Sequence, residues 1–281
     1  FDQQADLLIN RGLVVTDKKT LLIHLSNVSY YRLSAYWYPF RQADDTLKPG
    51  ITFEMIWRRY TFDRQMRLLV MDAIERVEIA VRTQLTNIFT LKYGAFGHLN
   101  PANLPKINND KRIELIHKIR EEAIHSQERF VEHYRQKYRK ENDLPLWMAV
   151  ELMTFGMLFT FFRGTESEIK RNVAALYGIS AEVLDSWLHC INQVRNICAH
   201  HGRLWNRALG IKPAIPRRNK HPEWHMPVKV GNDRLFAVLT LLRYLIAYVA
   251  PLSHWPDRIE RLLENYSDIP LVPMGFPKEW K

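Results

Sequence analysis

Cysteine, glycine and proline are scarce in this chain of 281 residues, which has 2 Cys, 11 Gly and 14 Pro. So few glycines and prolines argue against a loop-rich β-sandwich. The sequence also lacks a glycine-rich phosphate loop, which excludes P-loop hydrolysis of nucleotides. Cys190 and Cys198 lie about 12 Å apart along one predicted helix. That separation is too long for a disulfide and is typical of a protein kept in a reducing compartment.

Long uninterrupted hydrophobic runs are missing as well. The longest apolar stretches, 144–162 and 235–251, contain Glu151 and Arg243, so they predict buried core helices rather than membrane spans. No signal peptide is visible, and we expect a cytoplasmic protein. Because the sequence begins at Phe1, we also expect that a few residues, including an initiator methionine, precede it.

Negative charge is in deficit. The chain has 40 Lys and Arg against 30 Asp and Glu, which gives a formal net charge of +10 at pH 7. A surplus of this size favours a polyanionic partner, and nucleic acid is the most common one. The alternative is a solubility feature or a basic tail, but the charge is spread along the sequence and forms no tail.

Helical periodicity dominates the remaining pattern. Apolar residues recur every three to four positions, and no alternation long enough for a strand appears. The predicted helices cover 3–14, 18–41, 53–92, 110–140, 145–163, 167–177, 181–201, 233–249 and 256–265. The third of these is long enough for two helices in series or for one spine. The pattern predicts an all-α helical bundle, in which an N-terminal helical segment, 1–50, packs on a core domain, 51–281.

The helix predicted over 110–140 is densely charged and also carries Phe130, Tyr134 and Tyr138. Its basic residues are Lys111, Arg112, Lys118, Arg120, Arg129, Arg135, Lys137, Arg139 and Lys140. Basic residues interleaved with aromatic ones can track a nucleic-acid backbone and stack on its bases. The alternative is a solvated outer helix whose charges pair four residues apart. The sequence leaves both interpretations open.

Three pairs in the chain have the spacing Arg-x4-His, and about one is expected by chance. They are Arg112 with His117, Arg120 with His125, and Arg195 with His200. The first two lie in the charged helix, where such matches arise easily. Only the third has Asn196 directly after the arginine, an apolar stripe behind it, and Gly202, a predicted C-terminal cap, after it. Its helix is predicted to begin at the N-cap Ser180.

Helix geometry separates the three functional groups of this motif. Asn196 and His200 are four residues apart, so the amide can orient the imidazole. Arg195 is five residues from His200, which places it about 140° around the axis at ~100° per residue. A long arginine can still reach a shared phosphate, and a second copy of the helix can complete the site. The spacing therefore points to a dimer.

These groups suit cleavage of RNA without a metal. RNA carries its own nucleophile, the 2′-hydroxyl, and a histidine with a pKa near ~6.5 can remove that proton or protonate the leaving oxygen. A guanidinium can grip the non-bridging phosphate oxygens and stabilise the charge that develops. In the alternative, Arg195 pairs with a buried acid and His200 only satisfies the end of the helix.

Two other uses of the same segment are disfavoured. Cys190, Cys198, His200 and His201 invite a zinc site, but their spacing matches no standard pattern and the ligands diverge around the helix. Cys198 as a nucleophile activated by His200 fails because side chains two residues apart point about 200° apart. We predict neither a metal nor another cofactor.

The segment 195–207, Arg-Asn-Ile-Cys-Ala-His-His-Gly-Arg-Leu-Trp-Asn-Arg, resembles the signature of the Abi-like proteins. These are abortive-infection factors of the AbiD and AbiF type within the HEPN superfamily. Other blocks resemble the same family in the same order: Arg11-Gly12-Leu13, 29–36, Asp63-Arg64, 74–78 with Arg82, 144–147, and Phe155-Gly156. The resemblance therefore extends along most of the chain.

The resemblance implies a HEPN-type helical fold that dimerises to bring two motifs together. It also implies a metal-independent endoribonuclease toxin of phage defence that leaves a 2′,3′-cyclic phosphate. By position, Arg195 and His200 become the catalytic pair and Asn196 a polar supporter. Candidates for further contacts with RNA are His201, Arg203, Arg207, Arg217, Arg218 and Lys220.

RNA is the expected partner, either as substrate or as a small non-coding RNA that inhibits the toxin. The sequence does not separate these roles. It also leaves open a non-catalytic RNA-binding regulator that uses the same basic surface, and a protein-interaction module whose histidines are structural.

Overall fold

The computed structural model describes residues 1–139 and 143–280. These residues form twelve α-helices, with two isolated β-bridges and no strand. The helices are α1 Asp2–Asn10, α2 Lys18–Val28, α3 Tyr30–Trp37, α4 Phe53–Tyr93, α5 Asn109–His125, α6 Arg129–Lys137, α7 Leu146–Ala149, α8 Phe155–Gly164, α9 Ser167–Ala175, α10 Ala181–Ala199, α11 Leu235–Val249 and α12 Trp255–Asn265. The prediction of an all-α fold is confirmed.

One long helix, α4, forms the centre of the fold. At its start the Thr52 hydroxyl accepts a hydrogen bond from the Met55 amide at 3.2 Å. It ends at Gly94, whose φ of 76° lies in the left-handed region that favours glycine. Of the two arrangements that the sequence left open, the structure has the single spine and not two helices in series. Helices α3, α9, α10, α11 and α12 all pack against α4.

A single buried apolar cluster runs through the chain. It includes Leu8 and Leu21 of the N-terminal helices, Phe62 of α4, Trp187 of α10 and Leu242 of α11. The N-terminal helices therefore share their core with the rest of the protein. The domain boundary near residue 50 stays a prediction.

Two predicted helices are each divided at a serine. The prediction of one helix over 18–41 is wrong, because Ser29 adopts a φ of 71° and its hydroxyl accepts from the Arg32 amide, which starts α3. The segment 110–140 is divided at Ser126, which has an extended backbone and whose hydroxyl accepts from the Glu128 amide at 3.2 Å in the turn between α5 and α6. Lys140, at the end of that segment, lies outside the described residues.

The helix predicted over 145–163 is also interrupted. Thr154 caps α8 by accepting from the Met157 amide, and Met153 before it has an extended backbone. Arg82 of α4 donates to the carbonyls of Val150 and Met153 at this break. Within the described part of the chain, no helix combines the length and apolar character that crossing a membrane requires.

Candidate active site

The Arg-x4-His motif lies at the C-terminal end of α10. The Ser180 hydroxyl accepts from the Val183 amide at 3.4 Å, which confirms the predicted start of the helix. The predicted apolar stripe is buried and comprises Leu184, Trp187, Leu188, Ile191, Val194 and Cys198. This stripe fixes α10 against the core and leaves the end of the helix at the surface.

A two-residue turn closes α10 directly after His200. The Gly202 amide donates to the Ile197 carbonyl at 2.7 Å, and the His201 amide donates to the Cys198 carbonyl at 3.0 Å. This pair of bonds is a Schellman motif. The left-handed residue is His201, with a φ of 57°, rather than the predicted Gly202. Gly202 is needed for close packing instead, because a Cβ there would lie 3.2 Å from Ile197 Cγ2.

The functional side chains of the motif are accessible and unengaged. Asn196 and His200 are exposed, and Arg195 is half-buried. Within residues 1–139 and 143–280, none of the three side chains makes a hydrogen bond or an ion pair. The bond from Asn196 to the His200 ring that helix spacing allows is therefore not formed in this chain.

The arginines of the other two Arg-x4-His pairs, unlike Arg195, form hydrogen bonds within the protein. Arg112 donates to the Pro101 carbonyl at 2.6 Å and to Asn109 at 3.1 Å. Arg120 forms two hydrogen bonds to the Asp143 carboxylate, at 2.6 and 2.8 Å. Both guanidinium groups therefore have structural partners, whereas that of Arg195 is available to a ligand.

Arg195 faces α4 rather than the end of α10. It lines a hollow of about 470 Å³ together with the carboxylates of Asp72, Glu75 and Glu78. His200 does not line this hollow and lies at the exposed end of the helix, as its C-cap residue. The structure thus agrees with the expectation that one chain does not bring Arg195 and His200 together on one face.

A buried carboxylate fixes the segment that follows the motif. Asp63 of α4 has no exposed surface and accepts from the amides of Leu204 and Trp205, at 3.1 and 2.6 Å. It also accepts from the Tyr36 hydroxyl at 2.6 Å and from the Arg67 guanidinium. Burial raises the pKa of the Asp63 carboxyl, and these four donors oppose that shift. One side chain therefore joins α3, α4 and the turn after α10.

Two arginines connect the turn after α10 to α3, one donating from α3 and the other donating to it. Arg32 of α3 donates to the His201 carbonyl at 2.6 Å. Arg203 donates to the Ala35 carbonyl of α3 at 2.7 Å. The position of His200 consequently depends on the N-terminal helices, which lie far from it in sequence.

Residues 23–206 match a family model described as Abi-like protein, about two thirds of the chain. The chain belongs to the Abi-like family. Its membership points to abortive infection, a form of defence against phage. Searches of curated proteins and of solved structures found no match to this Abi-like chain.

The residues that hold the motif were not predicted as site residues. Arg32, Tyr36 and Asp63 lie inside blocks that resemble the family, which was the only signal that could have singled them out. Periodicity gives none, because Tyr36 and Asp63 fall on buried helix faces where an apolar side chain is the usual choice.

The two cysteines of the Abi-like chain belong to its core. Cys190 and Cys198 are free and buried, and burial raises the pKa of each thiol to about 12. Cys198 is therefore a neutral thiol at physiological pH and a poor nucleophile. His200 and His201 are exposed, so the four residues point to different environments. No group of three or more potential metal ligands occurs among the described residues.

The predicted RNA-contact residues fall into two separate regions. His201, Arg203 and Arg207 surround the motif, and Arg203 uses one guanidinium nitrogen for the Ala35 carbonyl. Residues 217–220 are exposed but lie near the opposite end of α10, because the loop after the motif runs back along that helix. Its path is fixed by bonds from Ile211 to Gln193 and from Ala214 to Ser186. Eighteen helical residues, from 182 to 200, separate the two regions by roughly 27 Å.

Proposed function

We propose that this Abi-like protein is a metal-independent endoribonuclease that acts in abortive infection. The observation that carries the proposal is the state of the motif. Asn196 and His200 are exposed and unengaged at a helix end that Asp63 and Arg32 hold in place. A histidine kept at the surface of so well-fixed a turn, with no structural partner among the described residues, is suited to contact a ligand.

The proposed reaction uses the 2′-hydroxyl of the RNA as nucleophile. His200 removes the 2′-hydroxyl proton or donates a proton to the 5′-oxygen, as a new bond forms from O2′ to phosphorus and the bond from phosphorus to O5′ breaks. Arg195 stabilises the charge on the non-bridging oxygens. The products are a 2′,3′-cyclic phosphate and a free 5′-hydroxyl. DNA has no 2′-hydroxyl and cannot react in this way.

We propose that the complete site is shared between two copies of the chain. Arg195 and His200 lie on different faces of α10, so a second helix end is needed to supply the missing group. The hollow around Arg195 also carries Leu68 and Ile79, two apolar side chains of α4 that are 58% and 54% exposed. Exposed apolar side chains beside an unengaged cation are suited to burial against a partner copy.

The test is cleavage of single-stranded RNA in the presence of EDTA. Wild-type protein should cleave the RNA and leave cyclic phosphate ends, whereas His200→Ala and Arg195→Ala should each lose at least about a hundredfold in kcat. His117→Ala and Arg120→Ala, from the competing pairs, are the matched controls and should keep their activity. Equal activity in all five proteins would refute the assignment of the site.

Mixing experiments test the shared site. Combining inactive His200→Ala with inactive Arg195→Ala protein should restore part of the activity, because some mixed dimers contain one intact pair. A fully active monomer by light scattering would contradict this arrangement.

The second candidate is an RNA-binding regulator without catalytic activity. The exposed basic residues Arg217, Arg218 and Lys220 favour it, because they lie far from the motif and serve no described structural contact of their side chains. This candidate predicts salt-dependent RNA binding without cyclic phosphate products. RNA that copurifies intact with the wild-type protein would support it, and would also fit a non-coding RNA that inhibits the toxin.

A further inference from the structure

A second surface of the molecule has the composition of a nucleic-acid site. It is a groove of about 570 Å³ between α6, α7 and the turn after α4. Its lining residues are Ala95, Phe96, Phe130, His133, Tyr134, Lys137, Tyr138, Pro145, Trp147 and Met148. Five of these ten are Phe, Tyr or Trp, against 12% in the whole chain. We call this surface the aromatic groove.

Several aromatic rings of the groove are open to solvent. Trp147 is 52% exposed, Tyr138 is 47% exposed and Phe96 is 38% exposed. The rings of Tyr134 and Tyr138 lie 4.9 Å apart, so they form one continuous aromatic wall. The groove is fixed in place, because the Leu146 amide at the start of α7 donates to the Ala95 carbonyl at 2.8 Å.

The charge of the aromatic groove fits a polyanion. Among the described residues no carboxylate lines it, and its basic side chains are Lys137 and His133. The Lys137 ammonium lies 5.4 Å from the centre of the Tyr138 ring, so cation and aromatic face are presented together. In contrast, Lys118 of the neighbouring α5 pairs with Glu114 at 2.6 Å. Within the charged segment, the ion pairing is thus on α5, and the open aromatic ring is that of Tyr138, directly after α6.

We propose that the aromatic groove binds single-stranded RNA by stacking its bases, at a distance from the catalytic motif. Stacking on aromatic faces tolerates any base, and a nearby cation neutralises the backbone. A duplex keeps its bases stacked on one another and cannot use such faces. The proposal rests on the proposed function only in naming RNA as the nucleic acid that binds.

The distance to the motif predicts a minimum length of RNA. Glu75 lines the hollow of Arg195, and the aromatic groove begins just beyond Tyr93, so eighteen residues of α4 separate them by roughly 27 Å. At a stacked rise of ~3.4 Å per nucleotide, about eight nucleotides are needed to span that distance. A strand that keeps its bases stacked must be at least this long to reach both places.

The binding experiment uses protein that cannot cleave, so that affinity is measured alone. In the His200→Ala background, we expect Trp147→Ala to weaken binding of a fluorescent single-stranded 12-mer about 5- to 100-fold. Trp147→Phe keeps an aromatic face and should retain most of the affinity. Leu91→Ala removes another exposed apolar side chain, 81% exposed on nearby α4, and should bind like the background. A 12-mer duplex should bind equally to all four proteins.

Length dependence gives an independent check. The affinity gain of a 12-mer over a 5-mer should be large in the His200→Ala background and should shrink when Trp147→Ala is added. Equal binding of the 12-mer by Trp147→Ala and the background would overturn the proposal. The proposal would also be overturned if the protein self-associates and Trp147→Ala abolishes that association without changing RNA affinity. The groove would then be a contact between copies of the protein.

The outcomes also separate this proposal from the proposed function. If wild-type protein does not cleave RNA but Trp147→Ala still weakens binding, the nuclease is refuted and the aromatic groove stands. If RNA is cleaved and Trp147→Ala changes neither binding nor KM, the groove is refuted and the nuclease stands.

Discussion

Replacement of Asp63 by asparagine should remove the counter-charge of Arg67 while keeping the acceptor that holds the segment after α10. The bonds from the Leu204 and Trp205 amides reach Oδ1, which asparagine retains. At the position of Oδ2, the new NH2 group faces the Tyr36 hydroxyl and the Arg67 guanidinium. The hydroxyl can rotate and accept, but a guanidinium has only donors. Arg67, which is 7% exposed, is then left as a buried cation without a counter-charge.

The expected loss of stability follows from that unpaired charge. Breaking a buried ion pair from one side costs about 3–5 kcal/mol, a large part of the 5–15 kcal/mol that is typical of a whole domain. At about 3 °C per kcal/mol for a chain of this size, Tm should fall by roughly 10 °C. The variant should therefore still fold at low temperature, which makes the loss measurable.

The assay is urea denaturation followed by circular dichroism, with Asp72→Asn as the matched control on the same helix. The Asp72 side chain is 27% exposed and pairs with Arg76 and Arg258, so its loss should cost no more than about 1 kcal/mol. Adding Arg67→Met to Asp63→Asn should recover part of the loss, because the buried cation is removed. If Asp63→Asn costs as little as Asp72→Asn, Asp63 is not the counter-charge of a buried Arg67 as described.

Three further predictions concern the same fold and site. Burial lowers the pKa of His98 to about 4, against ~6.5 in an unfolded chain, so the stability from this group is complete above pH ~6.5 and falls by about 3 kcal/mol toward pH 4. Urea denaturation at pH 7.5 and 4.5 should show less acid sensitivity in His98→Asn than in wild type, and an equal loss in both would contradict this assignment. His201→Gly should leave stability unchanged or raise it by up to about 1 kcal/mol, because glycine adopts the φ of 57° freely. Gly202→Ala should cost about 1–3 kcal/mol of stability through contact with Ile197. A His201→Gly variant less stable than Gly202→Ala would contradict the turn described. Arg32→Ala should change stability by less than about 1 kcal/mol but lower kcat for RNA about tenfold, since Arg32 positions the turn that carries His200; a change in KM alone would indicate direct contact with RNA instead.

The sequence predicted where helices occur better than where they end. The apolar period continues across Ser29 and across Thr154, so periodicity alone joins helices that the structure separates. In both places a hydroxyl competes for backbone amides and starts a new helix. At Thr154 the break also involves Arg82, which donates to the Val150 and Met153 carbonyls from a helix about seventy residues earlier. That partner is set by tertiary packing, so no local pattern could reveal it.

In the candidate site too, residues that are neighbours in sequence could be predicted, and residues brought together only by folding could not. Arg195, Asn196 and His200 could be predicted together because they are neighbours in sequence. The groups that hold them, Arg32 and Asp63, could not, because only folding brings them to the end of α10. The exposure of the motif side chains likewise depends on which face of α10 the core covers.

The bonds that join α3 to the turn after α10 also set an order in time. Arg32 and the His201 carbonyl are 169 positions apart, and Arg203 and the Ala35 carbonyl are 168 apart. At 5–20 residues per second, a ribosome needs about 10–30 s to make the chain between them. During that interval a nascent chain contains α3 but not the turn after α10 that α3 holds in place. Truncated and unfinished chains therefore have no assembled site. The site can form in the cell only after residue 203 has left the ribosome.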